Sequence, residues 1–309
     1  MTTIPLHSLM RLGAVGVAVL LAAATGGKTP WLEIAFSLGF GHYLLSLLYA
    51  KKQIARVVRE PQTLAACAVL VAGAGALYVN GFSLVIYFGV HHVFNEVYLL
   101  GRAVRLDDGA DARRLRLWSI LLNFFIYFGL LRHHAELGFV PRETLVNVLL
   151  AGLAVGYPAF FFYLLRLRRS LTTAQLVDLC TFEVLGFLLL VVSCFVNIWF
   201  VQIVFYHFVF WALFPLPRMA AQGRGPALTY VALNVAATAF FLLLSPLALL
   251  PVHLSAGQWD AQFRFWSYLH ITLSFALSTA HPAWITRWFQ SRPAAPPVAA
   301  ASGTGRAPV

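Results

Sequence analysis

For 39 consecutive residues, 176–214, the chain contains no lysine, no arginine and no proline. One α-helix of that length would run to about 58 Å at ~1.5 Å per residue, roughly twice the ~30 Å hydrocarbon core of a bilayer. A single crossing cannot use it, so the stretch is expected to split in two, with the break between Ser193 and Asn197 where polar side chains gather.

The rest of the chain repeats this character. It is 60% hydrophobic and 11% charged with a mean hydropathy of +0.78, against roughly 45–50% and about 25% in soluble domains. Further apolar segments fall at about 9–25, 31–50, 61–79, 85–98, 117–131, 144–165, 227–250 and 264–285. The net charge of +11 sits in short basic runs between them, a topology signal and not a nucleic-acid surface. With 176–214 split and both termini inside, 18 of the 22 Lys and Arg residues fall on the inner side; with it unsplit, 14 do. The positive-inside rule therefore selects the split. The expected fold is an all-α integral membrane protein, a polytopic bundle of about ten transmembrane helices, N-in and C-in. Residues 1–286 form a single transmembrane domain, and 287–309 form a disordered, Pro/Ala-rich cytoplasmic tail.

Local features add detail. Arg11 precedes an apolar run that imitates a signal-peptide core, and is read as the flank of a first span that is kept. Gly73 and Gly75 are expected to let neighbouring helices approach closely. Residues 102–116, with five arginines and three aspartates, read as a solvated loop. Pro158 is expected to kink its helix. Cys67, Cys180 and Cys194 show no metal spacing and read as small core residues.

The segment 85–98 is apolar enough to span, yet carries His91, His92, Asn95 and Glu96 near its middle. Ionisable groups at that depth are costly; they face a bundle interior and mark a pathway or a reactive site. At i, i+4 spacing His91 is expected to pair with Asn95, and His92 with Glu96. Counting from helix ends places His42, His91, His92 and His207 near one level on three helices. His270 is expected in the outer half of the last span and His281 in its inner half. Tyr43, Tyr87, Tyr98 and Tyr206 are candidate supporting donors, whereas His133, His134 and Glu136 read as solvated.

Neutral imidazoles on separate helices suit iron or copper. The expected ligands are His42, His91, His92 and His207. Glu96 is a further ligand or catalytic group, and His270 a further catalytic candidate. Such a site, lined by Phe and Leu, suits oxidation of an apolar lipid, isoprenoid or carotenoid-like substrate by a membrane oxidoreductase of oxygenase type. Its expected partners are membrane lipids, the apolar small molecule and an electron-donor protein. In spreading histidines over several spans the chain resembles bacterial membrane carotene-cleaving oxygenases; no motif is shared, and no residue role follows from the likeness. The HxxxH and HxxHH boxes of desaturases and the HExxH motif are absent. Two alternatives stand beside this reading. One is a haem b or quinone-linked electron-transfer protein with axial histidines. The other is a proton-coupled transporter using His92, Glu96, His207 and Glu183. The Ala- and Arg-rich composition suits a bacterial inner membrane.

Overall fold

The computed structural model describes residues 5–25, 29–77, 81–103, 109–133, 140–246 and 254–277, and every regular element among them is helical. In chain order these are α1 (Leu6–Thr25), α2 (Thr29–Tyr49), α3 (Lys51–Arg59), α4 (Pro61–Leu77), α5 (Gly81–Ala103), α6 (Ala110–Leu130), α7 (Arg142–Leu167), α8 (Thr173–Val192), α9 (Phe200–Leu213), α10 (Leu216–Ala221), α11 (Arg224–Leu244) and α12 (Ala256–Leu277).

Elementary chain chemistry sets several boundaries. Pro61 opens α4, where its missing N–H costs nothing. Thr172 and Gln175 form a reciprocal capping box at the start of α8. Gly223, at φ +125°, separates α10 from α11 in a conformation that a side chain would strain. Helix α8 ends at Val192 and α9 starts at Phe200, so the long apolar stretch does break, at the polar residues expected. Arg132 holds the break: its guanidinium donates to the Ser193 hydroxyl at 2.7 Å and the Ser193 carbonyl at 2.5 Å.

Five helical segments are long and apolar enough to cross a membrane among the described residues, within α2, α7, α8, α9–α10 and α11. That is fewer than the ten segments expected. Two more, Leu6–Leu20 and Pro61–Gly73, are apolar but shorter. Helices α5, α6 and α12 have the length but carry charged and polar side chains: Glu96 in α5, Arg113, Arg114 and Arg116 in α6, Asp260 and Arg264 in α12. Large apolar side chains point outward on α7 (Leu150, Val155, Leu165) and α11 (Leu228, Val235, Phe240). That outward apolar surface fits lipid and not water.

The helices that carry His42, His91, His92, His207 and His270 share one direction. Tyr43 meets Ser267 and Ser46 meets His270, so α2 and α12 are parallel. Tyr87 meets Thr272 and His91 meets Phe275, so α5 runs with α12. Phe88 meets Phe200 and His92 meets His207, so α9 joins them. Helix α1 opposes this set, packing Ala18 with Phe205 and Ala14 with Phe210 of α9. Helix α6 also opposes it, with Phe94 on Phe124 and Tyr127 donating to the Val85 carbonyl at 2.8 Å. Helix α7 lies antiparallel on α6, Gly156 against Leu122 and Gly129 against Leu149.

Other expectations need correction. Residues 110–116 are the first turns of α6, where Asp111 pairs with Arg114 and with Arg166 of α7. Gly73 has open space where a Cβ would go, so it marks no close approach; the close approaches lie elsewhere, as at Gly39, where a Cβ would meet the Phe208 ring at 2.5 Å. Pro158 lies inside α7, as read from the sequence. Cys194 is exposed in the α8–α9 connection, whereas Cys67 is buried. The 287–309 tail, His281, His134 and Glu136 lie outside the described residues, as do the surroundings of Gly75 and the Tyr98 side chain. His133 is exposed in the turn after α6; partial burial, then Arg142 and Arg132, lower its pKa.

Candidate metal centre

The parallel run of α2, α5, α9 and α12 places residues of matching depth side by side, and their imidazoles converge. The His207 ring lies 5.9 Å from His42, 5.2 Å from His91 and 5.6 Å from His92. His270 lies 4.8 Å from His42 and 5.5 Å from His91. Five histidines from four helices thus form one cluster; His91 and His207 are buried to within 1–2% exposure. The four residues expected as ligands are together. His270, expected at a different depth, is in the same cluster, because α12 starts at Ala256 and so carries His270 deeper than a helix starting at Arg264 would.

Ser46 Oγ donates to the Tyr43 carbonyl at 2.7 Å and lies 3.2 Å from His270 Nδ1. The His270 tautomer that donates to this hydroxyl carries its proton on Nδ1 and its free lone pair on Nε2. That Nε2 lies 3.3 Å from His42 Nε2, and His92 Nδ1 lies 3.4 Å from His207 Nδ1. Metal–nitrogen bonds of ~2.0–2.1 Å in tetrahedral geometry put ligand nitrogens ~3.4 Å apart. Two sets of potential ligand atoms lie within 4.8 Å of one another: His42, His207 and His270, and His92, Glu96 and His207. His91 belongs to neither set, and the Asn95 amide contacts its ring nitrogens at 3.1 Å. Among the described residues each set has the donor chemistry and spacing of a metal site, and His207 belongs to both.

Glu96 stands in the set with His92 and His207 and has a further partner in Arg11, Nε to Oε2 at 3.1 Å, with both side chains 2–3% exposed. Tyr206 donates to the same oxygen at 3.4 Å. Arg11 is thus inside the bundle and no flank; its guanidinium lies 4.5 Å from the Phe182 ring and 5.4 Å from Phe210. Nearby, Ser8 donates to Asp178 at 2.6 Å. Glu183 accepts from Ser119, and from Asn123 at 3.1 Å, so this carboxylate joins α6 to α8 away from the imidazoles. Sequence reasoning missed Arg11 and Ser46. A signal existed for Ser46, which stands one turn after His42.

The candidate supporting tyrosines divide. Tyr43 bonds Ser267 at 2.8 Å with its ring 4.8 Å from His270, and Tyr206 faces His92 and Glu96. Tyr87 instead ties α5 to α12 through Thr272 at 2.8 Å.

Two cavities flank the cluster. A cavity of about 330 Å³ is bordered by His42, His91, His207, His270, Trp211 and Trp266. A second, of about 540 Å³, reaches the other side at His92 and Glu96 and is otherwise largely apolar. No protein-family model, curated protein or solved structure matches the chain.

Proposed function

We propose that the chain is a membrane-embedded metalloenzyme of oxidoreductase type that holds iron or copper in its histidine cluster and acts on an apolar substrate. The observation that carries the reading is the convergence of His42, His207 and His270 from three helices at ligand spacing, with Ser46 3.2 Å from His270 Nδ1 and His42 3.3 Å from its Nε2. His91 and His92 flank this triad. Bound iron or copper would supply activation of O₂ or transfer of electrons. The protein's own contribution is to orient the imidazoles through Ser46 and Asn95, to exclude water with the surrounding Phe and Tyr rings, and to offer cavities open to hydrophobic molecules. Close packing of five imidazoles favours a single ion over a haem, whose macrocycle must lie clear between its two axial rings.

In this proposal the ten longer helices all cross the inner membrane of a bacterium, N-in and C-in. The alternating directions of α1, α2, α5, α6 and α7 support that arrangement, as does the α8–α9 break. An electron-donor protein is part of the proposal.

The test is metal analysis and an absorption spectrum of detergent-purified protein. Near-stoichiometric iron or copper without a Soret band is the expected result, and His42→Ala, His207→Ala and His270→Ala should each lower the metal to a similar residual level. A Soret band would replace the reading with a cytochrome. Absence of both after metal-supplemented purification would leave the histidines as a proton path.

A further inference from the structure

The ligand atoms of the cluster do not gather into one set. Among the described residues they fall into two sets of three, and His207 is the member they share. At bond lengths of ~2.1 Å, two ligand atoms on one ion lie at most ~4.2 Å apart. His42, His92, Glu96, His207 and His270 do not all come within a common 4.8 Å, so one ion cannot take all five where they stand. The two sets also open in different directions. His42, His207 and His270 border the cavity of about 330 Å³, whereas His92 and Glu96 border that of about 540 Å³.

The second set has the composition of a site in its own right. Two imidazoles and one carboxylate are the donor set of non-haem iron(II), while the first set is imidazole alone. His92 Nδ1 and His207 Nδ1 lie 3.4 Å apart, long for a hydrogen bond and the spacing of two nitrogens on one tetrahedral ion. A carboxylate oxygen of Glu96 lies within 4.8 Å of the ligand atoms of both rings. Oε2 is taken by Arg11 and Tyr206; Oε1 is buried without a hydrogen-bond partner. A buried acceptor in that state is costly, and a cation held by Glu96 and the two imidazoles offsets the cost. An imidazole has two ring nitrogens, so one ring can serve two ions. Nδ1 of His207 is the nitrogen beside His92, which leaves Nε2 for His42 and His270.

We propose that the cluster holds two ions, the second being iron(II) on His92, Glu96 and His207, and that the His207 ring joins it to the ion of the triad. His207 gives up its ring proton when both positions are filled. The inference rests on the metalloenzyme reading for the first ion only, since the second has a carboxylate and an imidazole of its own. Arg11 already balances the charge of Glu96, which makes the second position the weaker and more exchangeable of the two.

The experiment titrates full-length, detergent-purified protein, carrying its resident ion, with Co²⁺ as a coloured substitute for Fe²⁺. Equilibrium dialysis with elemental analysis counts both metals, visible absorption follows ligation, and circular dichroism checks the fold of each variant. One cobalt per chain should bind with no loss of the resident ion. His92→Ala should weaken cobalt uptake by about 100-fold or more, beyond the 10–100-fold of a supporting contact, and keep the resident ion. Glu96→Gln, which retains an acceptor for Arg11, should do the same. His42→Ala should lose the resident ion and still bind cobalt, and His207→Ala should lose both. A purified protein that already holds two ions, reduced to one by His92→Ala, supports the proposal equally. Cobalt that replaces a single resident ion one for one, or fails to bind beside it, would overturn the proposal. So would equal loss of cobalt and resident ion in His92→Ala, which would mean one ion shared by the whole cluster. A protein purified without metal that binds cobalt through His92 and not through His42 would sink the reading of the triad and leave the second position standing.

Discussion

Removing Arg11 alone should be among the most damaging single changes in this chain. In Arg11→Met the Glu96 carboxylate stays buried, at 2% exposure, and loses its 3.1 Å partner; breaking one side of a buried pair costs about 3–5 kcal/mol. The lost contacts of the guanidinium with the Phe182 and Phe210 rings add about 0.5–2 kcal/mol. Arg11→Met/Glu96→Leu removes the orphaned charge as well and should recover nearly all of the first cost, because apolar replacements of buried pairs are often neutral. The assay is reversible unfolding in mixed SDS and dodecylmaltoside micelles, followed by circular dichroism, for the wild type, both single variants and the double. A coupling free energy of about 3 kcal/mol or more in that cycle is expected. If the double variant were as unstable as Arg11→Met, the penalty would come from lost packing, and the reasoning from an unpaired charge would be refuted.

Other expectations follow from single contacts. Ser46→Ala removes the hydroxyl that lies 3.2 Å from His270 Nδ1 and orients that ring, so metal affinity should fall by about 10–100-fold in a chelator competition, with helix content unchanged. Gly39→Val would drive a side chain into Phe208; overpacking of this kind costs about 1–3 kcal/mol and should show as a lowered unfolding midpoint. Arg132→Ala releases Ser193 from the end of α6; protease cleavage between Ser193 and Trp199 should accelerate while the metal is retained, and an unchanged rate would mean that the connection is held by packing alone.

Hydropathy and charge spacing were enough to read the helical plan, down to the break between Val192 and Phe200, because lipid demands long apolar runs and leaves few ways to satisfy a backbone. They could not show which residues complete a site. His42, His91, His92 and His207 were legible as a group since depth in a bilayer can be counted from helix ends, and direction alternates. His270 failed the same count because α12 begins eight residues before the apolar segment does, in a stretch containing Gln258, Asp260 and Gln262 that hydropathy assigns to a loop. The Arg11–Glu96 pair was illegible for a different reason. Its partners are 85 residues apart in sequence, and nothing local to either marks the other; a charge near a helix end reads as a flank until its neighbour is known.

The contact of His42 with His270 joins the second described helix to the last. During synthesis the four imidazoles of α2, α5 and α9 are present long before α12 leaves the ribosome, yet the triad of His42, His207 and His270 cannot close until that helix inserts and docks. The grouping with His270 is therefore assembled last. A chain stalled or cut before Ala256 would carry four of the five imidazoles, with His92, Glu96 and His207 together, and lack the contact of His42 with His270.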